Sequence, residues 1–199
     1  MFRRCLEIDF TVLVDMDDTI EELLPAWLNY LNNKHGTRVA PEDVTGWDMK
    51  VFFPTVSHED IYSPLFEAEF WDTVKPKPGA SEALEHIIKD GFHLYIVTTS
   101  HYRALEVKME RVLFKYFPFL TWENVIIIGN KQLIKGDVLV DDGVHNLEGG
   151  SYTGILMDAP HNRTYNTQEN GIIRVHNWVE AYAAISLLAD RKKRLSRKG

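Results

Sequence analysis

Six short apolar runs punctuate the chain, and each ends at a polar cluster: "TVLV" before Asp15, "FHLYIV" before Thr98, "NVIII" before Gly129, "DVLV" before Asp141, "TGILM" before Asp158 and "GIIRV" before His176. Within each run the apolar residues are continuous rather than alternating, as in strands of a parallel sheet covered on both faces. Between several runs lie segments of helical period. "GASEALEHIIKDG" (79–91) repeats Ala83, Leu84, Ile87 and Ile88 and stops at Gly91, and "RALEVKMERVLFKYF" aligns Leu105, Met109, Val112 and Leu113. Strand and helix alternating in this way predict an α/β fold, a doubly wound parallel sheet.

One connection is too long. A crossover needs only about 10 to 12 residues, yet no strong strand pattern appears from Thr19 to about Lys75. The excess predicts a small helical cap inserted after the first strand. "EELLPAWLNYLNNKHG" is amphipathic through Leu23, Trp27, Tyr30 and Leu31, with Pro25 near its first turn where proline is tolerated. "HEDIYSPLFEAEFW" follows as further helix, and "KPKPGA" stiffens the return to the sheet. The predicted organisation is a catalytic core of residues 1–18 and 76–190, a cap of 19–75, and a basic tail of 191–199 that is disordered or the frayed end of a helix.

Charge changes the picture of partners. The 199 residues carry a formal charge of -7, and "DRKKRLSRKG" at the end is basic, which leaves about -12 on the rest. So acidic a body argues against binding a nucleic-acid polymer while leaving nucleotides open as small substrates. One cysteine, Cys5, excludes an internal disulfide and suits a reducing compartment. "MFRRCLEIDF" has no apolar signal-like core, and no run reaches the ~18 residues of a membrane span. A cytoplasmic protein without a membrane partner is expected, with a homodimer left open.

In open parallel sheets ligands bind beyond the carboxyl ends of the strands. Four successive runs are followed by Asp15, Asp17, Asp18 and Thr19; by Thr98, Thr99 and Ser100; by Gly129, Asn130 and Lys131; and by Asp141 and Asp142. Two acidic clusters, hydroxyls and a lysine form a parts list for Mg²⁺-assisted phosphoryl transfer. Hard carboxylate oxygens suit Mg²⁺, while hydroxyls and an ammonium hold the remaining phosphate oxygens. Bound metal would also relieve the repulsion among carboxylates crowded into a crevice. On spacing alone Thr98 competes with Thr99, Lys135 with Lys131, and Asp141 with Asp142. His101 and His145 sit nearby and read as surface or capping residues.

"DMDDT", "IVTTS", "GNKQLIKGD" and "VLVDD", taken in that order, resemble the four motifs of the haloacid dehalogenase-like phosphohydrolases. The resemblance implies that Asp15 is a nucleophile forming an aspartyl-phosphate. It makes Asp17 a general acid, then base, and Mg²⁺ the cofactor, held by the Asp15 carboxylate, the backbone carbonyl of Asp17, and Asp142. "PKPGA", the chain length and the cap position narrow the resemblance to the 5'(3')-deoxyribonucleotidase branch, over roughly residues 11–184. That match selects Lys131 as the phosphate-binding lysine and Asp142 as the metal carboxylate, beside Thr99 and Ser100. Asp18 and Thr19 replace a glycine and an aliphatic residue of that branch, and Gly143 replaces an arginine.

The aromatics of the insert, Trp47, Phe52, Phe53, Phe66 and Trp71, suffice as a small core. A cap over a nucleotide must nonetheless present a surface to the base, and Trp47 is the expected one. The function expected is dephosphorylation of nucleoside monophosphates, most of all deoxynucleotides. The rivals are a sugar-phosphate phosphatase with the same chemistry and a non-catalytic phosphoaspartate receiver, although receivers lack a helical insert of this size.

Overall fold

The computed structural model describes residues 9–197. The six apolar runs form six parallel strands: β1 (Thr11–Val14), β2 (His93–Thr98), β3 (Val125–Ile127), β4 (Lys135–Asp141), β5 (Ser151–Met157) and β6 (Ile173–Val175). Their order across the single sheet is β3-β2-β1-β4-β5-β6, so the fold class expected from the pattern is the one observed. The chain steps outward from β1 through β2 to β3, then returns to the other side of β1 with β4. A crevice opens where the direction reverses, at the carboxyl ends of β1 and β4. Val14 stands opposite Val140 there, and Asp15 N donates to Val140 O at 2.8 Å.

The continuous apolar runs are explained by two cores. Val12 and Val14 face one layer with Val138 and Val140, while Leu13 faces the other with Val97, Leu139 and Leu156. The helix Ala80–Lys89 buries Ala80, Ala83, Leu84 and Ile87, whereas Ile88, expected on the same face, turns toward solvent. In the last helix, Trp178–Ser196, Trp178 Nε1 donates to Thr19 O at 2.9 Å and anchors the loop that carries the first acidic cluster. Residues 191–196 continue this helix, and Lys192 Nζ donates to Asp9 O and Asp137 Oδ1, each at 2.6 Å. Residues 1–8 and 198–199 of the proposed core and tail, Cys5 among them, lie outside the described residues.

Between β1 and β2 the long helix Leu23–His35 buries Leu23, Trp27, Leu28 and Leu31 and stops at Gly36, which adopts the left-handed φ of 67°. The second helical stretch is broken into pieces, His58–Tyr62, Ser63–Phe66 and Ala68–Trp71, because Pro64 has no N–H to continue an α-helical ladder. Trp27 Nε1 bonds Ile61 O at 2.7 Å and holds the pieces to the long helix. The two linkers are stitched together, with Glu22 N donating to Lys75 O and Lys77 N to Ile20 O, both at 2.9 Å. The insert is thereby fixed above the crevice at one narrow neck.

Candidate active site

A cavity of about 610 Å³ lies between the strand ends and the insert. Its floor is polar: Asp15, Asp17, Asp18, Thr99, Lys131, Asp141 and Asp142. Leu23, Leu24, Trp27, Val44 and Met49 of the insert form an apolar wall, and Trp47, His145, Asn146 and His161 a second side. The sequence-predicted residues Asp15, Asp17, Thr99, Lys131, Asp142 and Trp47 therefore share one chamber. Ser100 does not. It lines a smaller cavity, of about 110 Å³, on the other side of Asp17.

Each alternative left open by spacing is separated by position. Lys131 is buried in a short turn opened by Asn130, whose Oδ1 accepts from Gln132 N at 3.2 Å, and its ammonium bonds Asp15 Oδ1 and, at 2.7 Å, Asp141 Oδ2. Lys135 begins β4, exposed, at the opposite end of the strand. Thr99 Oγ1 donates to Ile128 O at 2.9 Å from a residue open to the chamber, while Thr98 is wholly buried and meets Lys108. His101 accepts from Arg103 N at 3.2 Å through its own Nδ1 and caps the helix Tyr102–Lys108.

Asp141 is saturated. Its Oδ1 accepts from Gly143 N at 2.7 Å and Asn146 Nδ2 at 3.2 Å, and its Oδ2 from Lys131. Asp142 is held mainly by its backbone, whose carbonyl accepts from Asn162 Nδ2 at 2.9 Å, and its Oδ2 lies 3.3 Å from His161 Nε2. One oxygen each from Asp15, Asp141 and Asp142 lie within 4.8 Å of one another, all on buried residues. Three carboxylates at this spacing suit a hard cation.

Electrostatics express the same crowding. Burial, followed by the charge of Asp141, pushes the Asp15 carboxyl well above its usual range, with Lys131 opposing. Burial likewise raises Asp141 against the pull of Lys131. Burial alone would lower Lys131, but Asp15 and Asp141 outweigh it and hold the ammonium above its ordinary value. His161 is raised because its bond to Asp142 outweighs the cost of burial.

Asp18 now has a place. It adopts a φ of 52°, a left-handed conformation rare outside glycine, and its Oδ1 accepts from Leu24 N at 2.9 Å. That bond satisfies the start of the helix Leu23–His35, whose own capping residue, Glu22, supplies no side-chain bond. Burial, then the charge of Asp142, raises Asp18 to about 7.

Three residues escaped the sequence reading. His161 and Asn162 belong to the turn after β5, and Asn162 is buried because its amide also bonds Met157 O at 2.8 Å. Lys108 is 1% exposed and bonds Asp17 Oδ2 at 2.7 Å. Its signal was present: Ala104, Lys108 and Val112 are spaced by four along an otherwise apolar helix stripe.

Residues 9–192 match the model of the family described as 5' nucleotidase, deoxy (pyrimidine), cytosolic type C protein. The chain belongs to this family. It is 36% identical over 171 residues to a 5'(3')-deoxyribonucleotidase of Bacillus subtilis, covering 85% of this chain and 94% of that one. It is 34% identical over 180 residues to a 5'(3')-deoxyribonucleotidase of Clostridium acetobutylicum, with 90% and 97% covered. In fold it is similar to a HAD family hydrolase from Deinococcus radiodurans R1, crystallised with bound phosphate and sodium. The TM-score is 0.64 at 16% identity, over 92% of this chain and 97% of that one. A haloacid dehalogenase-like protein of Streptococcus pneumoniae has a TM-score of 0.62 at 13% identity, over 88% and 98%. Among the described residues no helix is long and apolar enough to cross a membrane.

Proposed function

We propose that this member of the deoxyribonucleotidase family hydrolyses deoxynucleoside 5'- or 3'-monophosphates in the cytoplasm, through a phosphoaspartate on Asp15. What carries the reading is one juxtaposition: Asp15, Lys131, Asp141 and Asp142 meet at the floor of a chamber that has an apolar wall and, on a second side, the exposed Trp47. A phosphate fits the floor and a nucleoside the wall. Residues 19–75 act as a cap that encloses the leaving group, and 1–18 with 76–190 as the catalytic core.

Mg²⁺ is the cofactor that this all-oxygen donor set suits, held by the Asp15 and Asp142 carboxylates and the Asp17 carbonyl; when bound it neutralises phosphate charge. Asp15 attacks phosphorus, the bond from phosphorus to the ester oxygen breaks, and Asp17 gives its proton to the departing oxygen. Asp17 then takes a proton from the water that cleaves the phosphoaspartate, which restores Asp15 and releases phosphate. Lys131 holds a phosphate oxygen, as does Thr99 once its hydroxyl turns from Ile128 O, and Trp47 packs on the base.

Phosphate release should be measured across deoxy and ribo monophosphates and sugar phosphates, with and without chelator, for the wild type and Asp15→Asn. Repeated turnover on deoxynucleotides, lost in both controls, is the expected result. Preference for a sugar phosphate, or a stable phosphoprotein without turnover, would sink the proposal.

A further inference from the structure

Lys108 closes the helix Tyr102–Lys108, directly before the π-helical turn Met109–Leu113, a local widening that is frequent at functional sites. Its ammonium donates to Asp17 Oδ2 at 2.7 Å and to Thr98 Oγ1 at 3.0 Å, and lies 5.8 Å from the centre of the Trp71 ring of the insert. The other Asp17 oxygen, Oδ1, is buried without a hydrogen-bond partner, as are both carboxyl oxygens of Glu21. Glu21 is wholly buried near Asp17 and Lys108. Among the described residues Lys108 makes the one ion pair with Asp17.

Stability alone does not call for a charge on this stripe, since a buried ion pair replaced as a whole by well-packed hydrophobic groups is often no less stable. Nor does the ammonium reach the phosphate site. Lys108 lines the smaller cavity behind Asp17 and is absent from the wall of the large one. Its contact with the chemistry runs through Asp17 alone.

We infer that Lys108 is a positioning residue for proton transfer: its bond to Asp17 Oδ2 fixes the orientation of that carboxyl and ties it to the insert through Trp71. The inference rests on the phosphatase reading of the site. In the step concerned, the bond from Asp15 to phosphorus forms and the ester bond breaks. The Asp17 proton moves to the ester oxygen, while Lys108 keeps its own protons throughout. A misoriented acid therefore matters only where the departing oxygen needs that proton. A nucleoside alkoxide does, whereas a dinitrophenolate leaves as a stable anion.

The test compares kcat/KM, which reports formation of the phosphoenzyme, for a deoxynucleoside monophosphate and for dinitrophenyl phosphate, with Mg²⁺, in the wild type, Lys108→Met and Thr98→Val. General acids contribute about 10² to 10⁴ in rate, so Lys108→Met should lose ~100-fold or more on the nucleotide and under ~5-fold on the activated ester. Thr98→Val, which keeps the ammonium but removes its second anchor, should show the same split at about ten-fold, and it carries the test if Lys108→Met does not fold. Equal losses on both substrates, or none on the nucleotide, would overturn the role of Lys108 while leaving the phosphatase reading intact. A wild type without nucleotide turnover would remove that reading, and this inference with it.

Discussion

Asp141 and Asp142 are adjacent in the chain and differently engaged: the Asp141 carboxylate accepts from Gly143, Asn146 and Lys131, while among the described residues the Asp142 carboxylate pairs only with His161. Asp142→Asn should weaken Mg²⁺ binding and turnover about 100-fold or more with the fold retained, because a ligand to a hard cation loses its charge. Asp141→Asn should instead lower stability by ~3 kcal/mol, because it breaks a buried pair. Calorimetric titration with Mg²⁺ and denaturant melts in chelator separate the two.

Lys131 keeps two buried carboxylates apart, so Lys131→Met leaves Asp15 and Asp141 without their cation. The metal-free variant should lose about 3 to 5 kcal/mol. Mg²⁺ should restore more of its melting temperature than it adds to the wild type, since the ion then supplies the missing charge. Equal Mg²⁺ shifts in both proteins would contradict this.

Asp18 carries a pH prediction. Its folded pKa of about 7 lies above its ordinary value of 3.8, so its contribution to stability is full below 3.8 and is lost as pH rises through about 7. Asp18→Asn keeps an acceptor for Leu24 N and has no charge to bury. In chelator its stability relative to wild type should rise from pH 4 upward and level off above about 7. Asp18→Ala loses the acceptor as well and should be weaker than Asp18→Asn by ~1 kcal/mol. Thermal melts across pH measure both.

Trp47 is 60% exposed and packs against His161 at 4.4 Å between ring centres, so removing it costs little core. Trp47→Ala should raise KM for nucleotides about ten-fold, as loss of one base-stacking contact implies, and change kcat little. A loss of stability without a change in KM would return Trp47 to the role of a structural aromatic.

The six strands, the helical insert and the strand-end carboxylates were legible because each rests on local information: an apolar run long enough for a buried strand, a connection too long for a crossover, and polar residues where strands stop. The amphipathic pattern also marked Trp27 and Leu31 as inward. Lys108 shares the apolar stripe of Ala104 and Val112, but a lysine in a helix reads as a solvated position until the structure shows what lies opposite. His161 and Asn162 gave no periodic signal, since the turn after β5 meets Asp142 only across the sheet.

By itself the sequence determined which residues end strands, and hence the kinds of groups that gather at the crevice. Spacing alone could not separate Thr98 from Thr99, Lys131 from Lys135, or Asp141 from Asp142, since neighbours along a chain carry nearly identical pattern information. Side-chain direction at a strand end, and the partner waiting there, give the members of each pair different surroundings. Lys131 fills the space between two carboxylates, Thr98 turns inward to Lys108, and Asp141 spends its oxygens on Gly143, Asn146 and Lys131 while Asp142 meets His161.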